Sequence, residues 1–205
     1  VEHLKPAVAY VILTVALLLI FLIIGYPAFI AIFAHLDPFK FAKKITRVAV
    51  FGFSTSSSAA TLPLNVKTTV EELGVDEKIA SFVLPLGMTI NMNGTAIMQV
   101  IATLFIAGCA GYSISFTQLV VIALLALIAS AGTPAAPGSG AIILFTILSG
   151  LGYVNDAAML AYSLILAINR PIEMLVTALN VVGDSATSIY VAKSEGVLNE
   201  DVYNA

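Results

Sequence analysis

The sequence predicts an all-α integral membrane protein in which broken transmembrane helices alternate with two oppositely oriented re-entrant helical hairpins. Three observations predict it. The chain is 60% hydrophobic and 10% charged, with mean hydropathy +1.03, whereas soluble domains carry about 25% charged residues. Its apolar segments are interrupted at mid-length by short polar runs bearing glycine and proline. Finally, Asn169, Glu173, Thr177, Asn180 and Asp184 recur in a long apolar segment, at spacings that fall within an arc of roughly 80° on a helix. A buried helix would turn these amides, hydroxyl and carboxylates toward one interior space, and ionisable groups at membrane depth mark a pathway or binding site.

Residues 1–36 form the first element. Ala7 to Ala34 contains no charged residue and exceeds the roughly 20 residues needed to cross as a helix, tilt taking up the excess. The run is too long for a cleavable signal peptide and lacks a small-residue cleavage site. His3 and His35 flank it and suit the interface better than metal binding or catalysis. The chain starts at Val1 rather than Met, so processing or truncation of a longer product is expected.

Residues 37–78 form the first hairpin. Asp37-Pro38 opens an amphipathic to apolar arm reaching Phe53, the stretch Ser54 to Pro63 interrupts it, and a second arm leads into the charged stretch Lys67 to Lys78. The first arm is short of the roughly 20 residues of a crossing, so both ends belong on one side with a serine-rich tip between them. Residues 79–112 are long enough to cross, but Pro85, Gly87 and the run Asn91-Met92-Asn93-Gly94-Thr95 sit near their middle. Unwinding there is tolerable only where freed carbonyls face protein, water or ions. Residues 113–155 form the second hairpin: Gln118 to Ser130 enters, Gly132 to Gly140 breaks, and Ala141 to Leu151 leaves. Residues 156–205 give a final helix, from about Ala157 to Ala192, and a tail.

Lys40, Lys43, Lys44, Arg47, Lys67 and Lys78 cluster after the first span, whereas Ile79 through Asn169 hold no Lys or Arg. The positive-inside tendency places residues 36–78 and the tail with Lys193 and Glu195 at the cytoplasm, and the turns Gly108 to Ser115 and Gly150 to Asp156 outside. The net charge of −3 shows no basic patch for nucleic acid. Cys109 is alone, which excludes an intramolecular disulfide and a multi-cysteine metal site and leaves an apolar packing residue.

Two oppositely entering hairpins, each followed by a full helix, make the inverted repeat of a secondary transporter with a midplane site. Hairpin-tip amides suit an anionic substrate group, and unwound carbonyls around Asn91 and Asn180, with Asp184 adding charge, suit a dehydrated monovalent cation. Plainer readings exist for each feature alone. The serines could cap helices, the glycine and proline run could be an external loop, and Glu173 and Asp184 could pair with Arg170 or another polar group. A membrane serine hydrolase is excluded because the Ser56 to Ser58 run has no His or Lys partner; the chain reads as no enzyme.

The run Ser56-Ser57-Ser58, the motif Asn91-Met92-Asn93-Gly94-Thr95, the segment Gly132-Thr133-Pro134-Ala135-Ala136-Pro137-Gly138 and the motif Asn180-Val181-Val182-Gly183-Asp184 occur in this order. In this the chain resembles the dicarboxylate/amino acid:cation symporter family of glutamate transporter homologues, over nearly all its residues and over the C-terminal half of a usual member. The resemblance implies an inverted-repeat transport domain that carries substrate across, the second hairpin acting as an extracellular gate, and a homotrimer built on a separate N-terminal scaffold that this sequence lacks.

It implies one sodium ion held by backbone oxygens of Gly87, Asn91 and Asn180 with the Asp184 carboxylate. A second would take backbone oxygens of Thr89, Ser130, Ala131 and Thr133. Met92 would couple the cation and substrate sites. Substrate would meet Ser56, Ser58, Thr95, Ala136, Gly140, Glu173, Thr177 and Asn180, with Asn180 and the first tip on the α-carboxylate and Glu173 on the α-amine.

The departures set specificity. Val176 stands where acidic-substrate members have Arg, whose planar fork binds a second carboxylate; without it a desolvated side-chain carboxylate lacks compensation, so a neutral amino acid is the leading substrate. Asn93 and Asn169 stand where relatives commonly have Asp, and the first puts a third sodium site in doubt. Glu173 is one methylene longer than the usual Asp. Sodium-coupled symport of an amino acid is therefore expected. A transporter of acidic amino acids or dicarboxylates, with Arg170 as second anchor, and a channel or nontransporting receptor are the alternatives.

Overall fold

Residues 4–205 are described in a computed structural model; His3 lies outside the described residues. Among them, helices joined by short turns and breaks are the regular structure, with no strand. α1 (Leu4–Ile20) continues through a π-helical turn (Phe21–Gly25), α2 (Tyr26–Phe29) and a second π-helical turn (Ile30–Ala34). His35, exposed and in a left-handed conformation, ends this span. Among the described residues, three helical stretches are long and apolar enough to cross a membrane: Lys5–Ala34, Glu77–Cys109 and Arg170–Ser194.

Side-chain caps that the sequence carries start most of the later helices. Asp37 accepts from Phe39 and Lys40 at the head of α3 (Pro38–Thr55), with Pro38 at its first position. Ser57 caps α4 (Ser58–Glu71) and Asp76 caps α5 (Glu77–Ile90). Ser115 and Gln118 form a reciprocal capping box at α7 (Phe116–Ala131). Asn155 caps α9 (Asp156–Ile168) and Asn199 caps α11 (Glu200–Asn204). The exceptions are α6 (Asn93–Cys109), α8 (Ser139–Leu151) and α10 (Arg170–Ser194), which have no local side-chain cap.

The elements repeat: a helical hairpin (α3 and α4) and an interrupted helix (α5 and α6), then a second hairpin (α7 and α8) and a second interrupted helix (α9 and α10). Three boundaries differ from the expectation. The first break is only Ser56 and Ser57, because the Ser57 cap restarts the helix at once and Pro63 sits inside α4. Pro85 and Gly87 are likewise helical, and the chain unwinds only at Asn91 and Met92. The final helix is divided at Asn169; Pro171 has no N–H to give and crowds the carbonyl of Ala167, four residues back.

α10 is the hub, packing against α1, α3, α4, α5 and α6. A buried polar seam fixes the first hairpin to it: Asn65 Nδ2 donates to Val181 O at 3.0 Å, and Ser185 reaches Asn65 Oδ1 and Thr69. Tyr112 and Tyr153 stack at 4.4 Å, and Asn155 donates to Ala110 O, so the two turns expected outside lie together.

The tail straps onto the base of the first hairpin, joining the two regions expected at the cytoplasm. Lys44 Nζ donates to Glu72 O, Val202 O and Tyr203 O, Asn199 N donates to Gly74 O at 2.8 Å, and Tyr203 Oη donates to Asp37 O at 2.8 Å. Burial, then the nearby Asp37 charge, pushes the Tyr203 phenol above its usual range. Tyr203 is fully buried. Tyr203→Ala is expected to destabilise this end by about 3 kcal/mol and to speed amide exchange at Leu73 to Val75 while α6 stays protected. Exchange that rises equally in α6 would show that the strap does not act locally.

Candidate functional site

The two hairpin tips meet. Ser57 Oγ donates to Ala135 O at 3.0 Å, and between the tips, the break after α5 and one face of α10 lies a cavity of about 30 Å³, room for roughly two water molecules. Ser56 and Ser58 from the first tip, Met92 and Thr95 from the break, Ala136 and Gly140 from the second tip, and Glu173, Val176, Thr177 and Asn180 from α10 all line it. Every residue expected at the substrate is thus at one place. Thr133, expected at a cation, also faces this cavity.

Three helix N-termini converge here: α4 at Ser58, α6 at Asn93 and α8 at Ser139. Each carries partial positive charge. Two of them take their acceptor from α10. Asn180 Oδ1 accepts from Gly94 N at 2.8 Å, and Glu173 Oε1 accepts from Ala141 N at 3.0 Å. The other end of the Asn180 amide donates to Thr95 Oγ1 at 3.1 Å and contacts Met92 Sδ at 3.3 Å. Asn180 lies in unbroken helix, so the unwinding expected around it does not occur; α10 keeps its ladder and offers side chains instead.

Ser56 is the unpartnered end of the chemistry. Its backbone has φ 50°, a left-handed conformation that costs a non-glycine residue of order 1 kcal/mol or more. Its Oγ is buried with no hydrogen-bond partner in the protein. A buried hydroxyl so placed costs about 1–3 kcal/mol unless a ligand group meets it. Opposite it, Glu173 has only 8% of its side chain exposed, with Arg170 Nη1 4.0 Å from Oε2. Thr177 Oγ1 turns back to Glu173 O, and Val176 puts an apolar wall beside them.

Below the cavity, Asp184 is 1% exposed. Among the described residues no Lys, Arg or His forms an ion pair with it. A carboxylate so buried needs a compensating cation or neutralisation. Gly87 brings it against α5: a Cβ there would lie 2.6 Å from Asp184 Oδ1, so only glycine lets the carboxylate reach the backbone whose oxygens are candidate ligands. The ligands expected beside Asp184 are oxygens, which suit a hard cation, although here Asn91 Nδ2 donates to Asp184 Oδ1 at 2.8 Å; among the described residues no cluster of three His, Cys, Asp or Glu side chains offers a transition-metal site. The second expected cation set is less drawn together. Ser130, Ala131 and Thr133 sit at the end of α7, which touches α5, but Thr89 is exposed and its hydroxyl bonds back to Leu86 O at 2.7 Å.

Several polar partners were not foreseen. Tyr26 Oη accepts from Asn93 Nδ2 at 3.2 Å, Tyr10 Oη donates to Asn169 Oδ1 at 2.6 Å, and Gln99 Nε2 donates to Gly140 O at 3.1 Å. A tyrosine in an apolar run carries no signal that tells a buried partner from an interfacial one. Gln99 does carry one, since it follows Thr95 by one helical turn and so shares its face.

The profile of the sodium:dicarboxylate symporter family matches residues 1–194. Among similar proteins, an excitatory amino acid transporter of Caenorhabditis elegans is 34% identical over 86% of this chain and 34% of its own length. Excitatory amino acid transporter 1 of Rattus norvegicus is 34% identical over 86% of the chain and 32% of its own, and excitatory amino acid transporter 2 of Homo sapiens is 36% identical over 78% and 28%. The chain therefore spans about a third of the length of these relatives, which are transporters and not enzymes. With its apolar helices and its buried polar site, this multi-pass membrane protein belongs to the sodium:dicarboxylate symporter family.

Proposed function

We propose that this chain is the substrate-bearing part of a cation-coupled symporter that moves an amino acid with a neutral side chain. The observation that carries the reading is the unpartnered Ser56 Oγ facing Glu173 across a cavity ringed by three helix N-termini. A zwitterion fits that arrangement in one sense only. Its carboxylate takes Ser56, Ser58 and the N-terminal dipoles, and its ammonium takes the Glu173 carboxylate. Asn180 then shares a donor between Thr95 and the substrate.

The side chain is left facing Val176. The cavity lining contains no Lys or Arg, so a second carboxylate would be desolvated without a partner. The family name points to dicarboxylates and the relatives' names to excitatory amino acids. One feature favours such a substrate here: Arg170, about half exposed beside Glu173. It already serves Glu173, which weakens it as an anchor for a second anion.

Sodium is the coupling ion in this reading, held by Asp184 with backbone oxygens of Gly87, Asn91 and Asn180. Ser130, Ala131, Thr133 and Thr89 form the second set once the α7 end and α5 close on each other. In the whole protein the two hairpins are re-entrant and oppositely oriented, residues 1–205 form the transport domain, and an N-terminal scaffold joins three copies into a homotrimer.

Binding of neutral and acidic amino acids to the complete protein, in sodium chloride against choline chloride, tests the reading. Sodium-dependent binding of a neutral amino acid is expected, and binding indifferent to sodium would reject the coupling. Asp184→Ala is expected to raise the sodium requirement at least about tenfold. Val176→Arg is expected to shift preference toward glutamate or aspartate by about tenfold; unchanged selectivity would remove Val176 from the substrate's side chain. Conductance without coupled uptake in vesicles would favour a channel.

A further inference from the structure

The first span carries two π-helical turns, Phe21–Gly25 and Ile30–Ala34, separated by four residues that begin with Tyr26. Such turns widen a helix and redirect its side chains, frequently at functional sites. Here they deliver Tyr26 into the interior: it is 6% exposed, with the Phe21 ring edge-on at 5.1 Å. Its hydroxyl lies against α10 at Gly183, where any Cβ would collide with Tyr26 Oη and also approach Asn91 Nδ2 to 2.7 Å.

From Tyr26 a chain of amides leads to Asp184. Asn93 Nδ2 donates one hydrogen to Tyr26 Oη at 3.2 Å and the other to Asn91 Oδ1 at 2.8 Å. Asn91 Nδ2 in turn donates to Asp184 Oδ1 at 2.8 Å and to Asn180 O at 3.4 Å. These last two oxygens belong to the proposed cation site. A cation held by both must displace the Asn91 amide or compete with it.

We propose that the Asn91 carboxamide is an intramolecular stand-in for the coupling cation, and that Tyr26 is the positioning residue that holds it there through Asn93. The inference rests on the cation-coupled reading above. The amide places partial positive charge on the buried carboxylate when no cation does so, and it yields when a full charge arrives. Its orientation matters, because the flipped amide would present Asn91 Oδ1 to the carboxylate. Asn93 prevents the flip by giving a hydrogen to Asn91 Oδ1, which a carboxylate at position 93 could not do. Tyr26 Oη, accepting the second hydrogen, fixes Asn93.

The direction of the effect separates this role from packing. A damaged cation site binds sodium more weakly, whereas a loosened stand-in competes less and lets sodium bind more tightly. The test is thermal unfolding of the complete protein in detergent, titrated with sodium chloride at constant ionic strength in choline chloride. Tyr26→Phe removes only the hydroxyl and is expected to lower the half-saturating sodium concentration about 3- to 10-fold, the span of one hydrogen bond. Asn91→Ala, which keeps the backbone oxygen, is expected to lower it as well. The double variant should go no lower than Asn91→Ala alone, since the two act on one element. Asn93→Ala gives the same decrease should Tyr26→Phe fold poorly. An unchanged or raised sodium requirement in these variants, with the parent protein responding to sodium, overturns the stand-in alone. A parent protein indifferent to sodium overturns the cation-coupled reading itself.

Discussion

α10 supplies what the helices opposite it lack. α6 and α8 begin at the site without a capping side chain of their own, and an uncapped, buried helix start leaves amides that cost about 1–3 kcal/mol each if unmet. Asn180 and Glu173, seven residues apart on one face of α10, accept from Gly94 N and Ala141 N. The break in one repeat and the hairpin tip of the other are thus registered against the same rigid helix. The same two side chains face the cavity, so a ligand that engages either one acts on the position of a helix.

That arrangement explains why α10 stays unbroken. A helix that served the site through unwound carbonyls would lose the fixed spacing between Glu173, Asn180 and Asp184. It keeps its helical ladder while two of its carbonyls, Asn180 O and Val181 O, also accept from Asn91 and Asn65, and its polar side chains are met from α4, α6, α8 and the break at Asn91. Gly87 and Gly183 remove the side chains that would hold α5 and Tyr26 away from it. The polar stripe was legible from spacing alone because 3.6-residue periodicity survives burial. The helix start at Asp37 was legible too, a short polar residue followed by Pro38.

Other features were hidden for identifiable reasons. Ser54 to Pro63 reads as one long interruption by composition, but a single well-placed cap at Ser57 confines it to two residues. The division at Asn169 had a signal in Pro171 that the strong apolar periodicity around it masks. The position of Tyr26 depends on two π-helical turns, whose extra residues shift the face that a 3.6-residue count assigns. Borrowed caps such as Glu173 on Ala141 join residues 32 apart, and no local pattern encodes a bond of that range.

The hairpin tips meet over a small cavity, and the bonds show which of its walls is held least. The first tip is tied to α10 by the buried Asn65 and Ser185 seam. The break is tied to α10 by Asn180 through Gly94 and Thr95. The second tip bonds mostly to itself, Ser139 Oγ reaching Pro134 O and Ala136 O. Its side-chain ties to the rest, among the described residues, are Ser57 to Ala135 O, Gln99 to Gly140 O, Tyr162 to Ala141 O and Glu173 to Ala141 N. Ser57, Gln99 and Tyr162 are neutral donors, and Glu173 is the carboxylate on which the proposed ammonium would settle. In the proposed reading, an ammonium settling on Glu173 would compete with Ala141 N for the carboxylate and so loosen one of the bonds that hold the second hairpin.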